Sequence, residues 1–235
     1  MKHWYFLLLL AITFPVFARD IPEHIPPDQD STTPIPAEPV AFADLAARAN
    51  LVAVVRVLDT DYEYTRGFPS GGTAFLQVLI AYKVGRPLED IIKVYEEGLH
   101  AGECYFENPT VWEEGRRHLV FLKFSPDVDD QYNGLPGGCK LDVLVSRDNR
   151  YALRYPVSGL AVTDDLKPFA RSMDFSDEYA HVKDENISPG ERQALLDAGY
   201  LVKNGQRFAF THGIELSVIR KLMGPDAPTL DRSLK

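Results

Sequence analysis

The apolar positions of residues 42–61, FADLAARANLVAVVRVLDTD, change period midway. Phe42, Leu45, Ala46 and Ala49 recur at helical spacing, and Asp44 can pair with Arg48 one turn later. From Leu51 the period is two: Leu51, Ala53, Val55 and Val57 share a face, with Arg56 and Asp59 where the strand meets water. The pattern predicts a short helix leading directly into a core strand. More alternating runs follow. TAFLQVLIAYKVG sets Ala74, Leu76, Val78, Ile80, Tyr82 and Val84 on one face, and DIIKVYEE alternates about Ile92 and Val94. RRHLVFLKF is apolar on both faces, as a central strand is, and KLDVLV and RYALRYPV close the series. Turn chemistry separates them at Ser70-Gly71-Gly72, Gly85-Arg86-Pro87, Glu114-Gly115, Asn133-Gly134 and Asp148-Asn149. Five or six strands with no long helix between them predict a mainly β fold, an antiparallel barrel or sandwich, over residues 41–162.

After Val162 the pattern changes, and residues 163–235 are expected to form a small α+β appendage. DDLKPFARSMDFSDEYAHVKDENI is irregular and acidic. Ser188 and Glu191 then make a capping box for the helix ERQALLDA, stopped by Gly199. YLVKNGQRFAF predicts a hairpin with a type I′ turn on Asn204-Gly205, and IELSVIRKLM a last helix ended by Gly224-Pro225.

The first residues do not belong to this plan. MKHWYFLLLLAITFPVFARD has a basic start at Lys2, an apolar run from Trp4 to Phe14 and a small-residue cleavage pattern at Val16-Phe17-Ala18. This predicts a signal peptide over residues 1–18. The run is shorter than the roughly 18 apolar residues a membrane span needs, and Pro15 breaks it. Residues 19–40 hold six prolines and few large apolar groups, so a disordered or extended tether is expected there. Export to the periplasm or outside the cell follows as the expectation. It makes Cys104 and Cys139, the two cysteines of the chain, a candidate disulfide. The net charge of -9 lacks the Lys/Arg surplus that drives phosphate-backbone binding, which argues against a nucleic-acid partner.

Candidate chemistry is sparse. Cys104 and Cys139 could instead ligate zinc with His100 and His118, but the spacing matches no common structural zinc pattern. Asp127, Asp129 and Asp130 suggest calcium only until the loop is counted out: an EF-hand needs Gly at position six and Glu at twelve, where Tyr132 and Gly138 stand. Ser70 and Ser158 sit in no nucleophile-elbow motif, and His181 and His212 have no metalloprotease spacing. The pairs Glu96-Glu97, Glu113-Glu114 and Asp164-Asp165 are adjacent in sequence, unlike a converging acid/base couple. No motif calls for a cofactor or a metal.

The order ADLAARANLVAVVRV, AFLQVLIAYKVGRP, IIKVYEEG, a Cys, WEEGRRHLVFL, a Tyr and a second Cys resembles a known family. These are secreted bacterial proteins with a domain like the tissue inhibitors of metalloproteinases and the netrin module. EGRRHLVFL, residues 114–122, is similar to the family's turn-and-strand element. The resemblance covers about residues 42–162 and implies a five-stranded OB-type barrel with the appendage attached. The inhibitors chelate the protease zinc through an amino-terminal cysteine; here no Cys precedes Cys104, so that mechanism is not implied.

In an OB-type barrel the connection between the first two strands is a binding loop. Here it holds Tyr62, Tyr64, Arg66 and Phe68, residue types enriched at interfaces. The expected function is therefore an exported, non-catalytic module that contacts a protein partner through these four residues. The alternatives are an enzyme whose site converges only in three dimensions, or a structural envelope component.

Overall fold

The computed structural model describes residues 39–97, 104–125, 128, 130–135, 139–157 and 164–223. The expected signal peptide and nearly all of the tether lie outside these residues. So do His100, Asp127, Asp129 and Ser158.

Helix α1, Phe42–Arg48, buries Phe42, Leu45 and Ala46 and leads into β1, Leu51–Thr65. Strands β2 (Phe68–Val84), β3 (Ile91–Glu97), β4 (Arg117–Phe124) and β5 (Gln131–Gly134) follow. They close on β1 in the order β1-β2-β3-β5-β4, and the β1–β4 pairing from Leu51↔Leu122 to Arg56↔Arg117 completes the ring. The fold is thus the expected five-stranded OB-type barrel. One pair departs from an antiparallel plan: β3 and β5 run parallel, with Lys93↔Gln131 and Val94↔Tyr132.

The barrel interior is filled by Val55, Leu76, Val94, Val120, Leu122 and their neighbours, the alternate residues of each strand. Strand β1 is not buried on one face alone. Val52 and Val54, which alternation places outside, are fully buried against α1. The same outer core holds Phe121, whose ring meets Phe42 edge to face at 5.4 Å. Burying such an aromatic stabilises the fold by about 2–3 kcal/mol.

Strand β4 passes from one partner to another along a single edge. Leu122–Phe124 pair with β5, and Arg117–Val120 pair with β6, Lys140–Val145. The sheet continues through β7 (Tyr151–Tyr155), with the short β8 (Arg171–Ser172) at its far edge. The C-terminal residues split between two sheets. Strands β9 (His181–Lys183), β10 (Leu201–Asn204) and β11 (Arg207–Phe210) form a three-stranded sheet of their own. Helix α2, Pro189–Asp197, precedes β10 and is capped as expected, with Ser188 Oγ accepting the Glu191 amide at 3.2 Å. Strand β12, His212–Glu215, instead joins β7 in the barrel's sheet, and α3, Leu216–Leu222, adds Leu216 and Ile219 to the outer core. The hairpin turn falls one residue later than expected. Asn204 pairs with Arg207, leaving Gly205 and Gln206 as the loop, and only Gly205 has a positive φ, as in a type II′ turn.

Candidate functional site

The segment expected to be a loop between the first two strands is itself β-structure. β1 and β2 stay paired out to Tyr64↔Pro69 and Thr65↔Phe68, so Ser70, Gly71 and Gly72 lie within β2 and not in a turn. The turn is Arg66-Gly67, with φ of 52° and 84°; both positions are left-handed, as in a type I′ turn, and only Gly67 takes that conformation without steric cost. Polar alternation in this stretch marks a ribbon leaving the barrel, where no core demands apolar side chains.

The four candidate residues therefore part company. Tyr62 is half-buried and packs on the barrel core. Its hydroxyl accepts the Phe106 amide at 3.1 Å, its ring meets Tyr105 at 5.3 Å, and burial pushes its pKa up to about 12. Tyr64 is 61% exposed and Arg66 is exposed at the turn. Phe68 opens β2, but its side chain lies outside those described.

The crossing into β4, residues 104–116, touches β1 at Tyr62 and at Val57. It begins at Cys104, joined to Cys139 with Cα atoms 5.5 Å apart. It ends where the Val57 amide donates to the Arg116 carbonyl at 3.0 Å. Gly115 is required there: a Cβ would stand 1.8 Å from the Val57 carbonyl oxygen. Glu114 is held by both Arg56 and Arg117, and Arg116 pairs with Glu107 at 2.8 Å. Between these anchors a turn closes with the Glu113 amide donating to Thr110 O at 3.1 Å, and Thr110 Oγ1 donates to Glu113 at 2.9 Å. Its two central residues, Val111 and Trp112, are 92% and 93% exposed. Trp112 was visible in the sequence only as part of WEEGRRHLVFL. The signal that could have found it is its setting, a lone indole between Thr110 and Glu113-Glu114-Gly115, which is turn composition.

A buried polar row lies across β4, β6 and β7. His118, 2% exposed, places Nδ1 3.2 Å from Asp142 Oδ1 without hydrogen-bond alignment, and neither ring nitrogen has a hydrogen-bond partner. Burial pushes its pKa down to about 4. Burial opposes the charge of Asp142, but the facing His118 and the Arg154 guanidinium at 3.1 Å outweigh it and hold the carboxyl below its usual range. Lys140 donates to the Tyr105 carbonyl and lies 4.7 Å over the Phe106 ring; burial lowers its pKa to about 8. Because Cys104 and Cys139 are bonded to each other, they offer no thiolate to a metal beside His118. Among the described residues no group of three or more His, Cys, Asp or Glu is placed to hold a metal ion.

Several clefts stand elsewhere among the described residues. One of about 430 Å³ lies between β8 and the three-stranded sheet, lined by Asp174, His181, Lys203 and Phe210 among others. Another, of about 520 Å³ on β2, is lined by Val78, Ile80, Val84 and Leu88 with Arg86 and Arg220. His118, Lys140 and Asp142 line neither. His212 contacts Thr211 Oγ1 at 2.8 Å and the Tyr200 ring at 5.1 Å. Among the described residues no helix is long and apolar enough to cross a membrane. No protein-family model, curated protein or solved structure matches the chain.

Proposed function

We propose that the chain is an exported, non-catalytic module that binds another protein through the end of the barrel where the β1–β2 ribbon meets the 104–116 crossing. Tyr64, Arg66, Val111 and Trp112 make the contact. The observation that carries this reading is Trp112, a 93%-exposed indole on a turn fixed at both ends. Indole is the side chain most enriched where binding energy concentrates, and a fixed backbone reduces the ordering entropy that association costs. Tyr62 supports the surface from beneath and is not part of it. Export accords with the Cys104–Cys139 bridge, since such bonds persist in oxidising compartments. A non-catalytic role accords with the displaced protonation of His118 and Lys140, which faces neither cleft and has burial as its first cause. The resemblance to the metalloproteinase-inhibitor and netrin modules accords with the closed barrel, and binding through the ribbon end needs no amino-terminal cysteine.

The test is photo-cross-linking from position 112 in the native exported fraction, with the benzophenone side chain at Ala194 on the exposed face of α2 as control. The reading expects a discrete protein adduct from position 112 and none from 194. No adduct from 112, or equal adducts from both, would sink it.

A further inference from the structure

β1 is paired on both sides only as far as Arg56. Val57 is taken by the crossing, through Arg116 O and Gly115. Leu58 is bulged out of the register; from Asp59 to Thr65 the strand pairs with β2 alone, and no described residue pairs with it along the other edge. The Thr60 amide there is bonded to the neighbouring Asp59 side chain at 2.9 Å. Among the described residues this leaves an open edge of seven residues, about 23 Å of strand.

An open edge of that length is a template for another strand, and its side chains select which. Asp59, Asp61 and Glu63 alternate along it and are all exposed, while Thr60, Tyr62 and Tyr64 occupy the positions between. A second copy of this edge would bring carboxylates opposite carboxylates at about 5 Å, which is destabilising. An anionic lipid surface is repelled by the same three charges. A strand with Lys or Arg at alternate positions places each cation opposite a carboxylate.

We propose that the open edge of β1 takes up an extended peptide segment bearing basic residues at alternate positions, with apolar β-branched residues between them on the Tyr62–Tyr64 side. Main-chain hydrogen bonds to residues 59–65 hold the segment, and the acidic face sets its identity and register. The proposal rests on the binding reading above and names the class of segment the partner presents.

The test is amide hydrogen exchange on the full chain with capped Lys-Val-Lys-Val-Lys-Val-Lys and Glu-Val-Glu-Val-Glu-Val-Glu peptides. The lysine peptide is expected to slow exchange within residues 59–65 by about threefold or more, and the glutamate peptide to leave it unchanged. The triple variant Asp59→Lys, Asp61→Lys, Glu63→Lys is expected to reverse that preference. If the variant does not fold, the two peptides on the wild-type chain still decide the question. Several outcomes overturn the proposal: no slowing at 59–65, equal slowing by both peptides, slowing that depends on protein concentration without peptide, or slowing by phosphatidylglycerol vesicles. Failure here with an intact adduct from position 112 leaves the binding reading standing. Slowing at 59–65 without that adduct removes the Trp112 reading and keeps the edge.

Discussion

The hydroxyl of Tyr62 accepts the Phe106 backbone amide at 3.1 Å, tying the crossing that follows the disulfide to the ribbon that leaves the barrel. Tyr62→Ala removes the ring packed on the core and orphans that amide, and is expected to cost about 3 kcal/mol. Tyr62→Phe keeps the ring and loses only the acceptor, for about 1–2 kcal/mol. Chemical denaturation of the two variants checks the order. An unaffected Tyr62→Ala would show that the ring is not structural.

Gly115→Ala sets a Cβ 1.8 Å from the Val57 carbonyl oxygen, which is backbone and cannot turn aside. The crossing must move off β1, at an expected cost of about 3 kcal/mol. Because Glu114 moves with it, the pairing to Arg56 and Arg117 weakens too, and a melting curve like that of wild type would contradict the packing described.

Much of this was legible from the residues, for reasons that also explain the rest. The helix-to-strand switch at Ala49–Leu51, the alternation of β2 and β3 and the Ser188 cap are local patterns with one physical solution each. The end of β1 was not. Asp59 to Thr65 are polar because the ribbon has left the core, and polarity beside Ser70-Gly71-Gly72 suggests a loop. The burial of Val52 and Val54 depends on α1 folding back over the barrel, and the parallel β3–β5 pair depends on closure; neither is a local property. Trp112 was hidden by the general rule that large apolar residues are interior. For Tyr62 that rule half held, and for Trp112 it failed because the turn holding it is fixed by distant partners, Val57 and Arg56.

Opening the Cys104–Cys139 bridge releases a loop of 35 residues. Cys104→Ser with Cys139→Ser is expected to lower stability by about 3–4 kcal/mol by loop entropy. Equilibrium unfolding of this variant beside the oxidised protein measures it, and equal stability would mean the bridge constrains nothing.

His118 makes stability depend on pH. Its pKa falls from 6.5 to about 4 on folding, because burial disfavours the charged ring. The unfolded chain then binds the extra proton between those values, so this contribution is complete above pH 6.5 and is lost as pH falls toward 4. The loss should reach about 2 kcal/mol between about pH 7.5 and pH 5. Asp142, also lowered, keeps its full contribution above the ordinary carboxylate range and loses it only below, so it does not share this window. His118→Leu should flatten the slope whatever its effect on absolute stability. An unchanged slope would place the titration elsewhere.

The central claim is that Tyr64 and Trp112 are exposed for a partner and not for the fold. It is tested most directly by measuring affinity and stability together in Trp112→Ala, using the protein recovered by cross-linking from position 112. The account predicts a loss of about 2 kcal/mol or more in binding, roughly thirtyfold in Kd, with unfolding free energy within about 0.5 kcal/mol of wild type. Undiminished affinity, or a large loss of stability in Trp112→Ala, would contradict it.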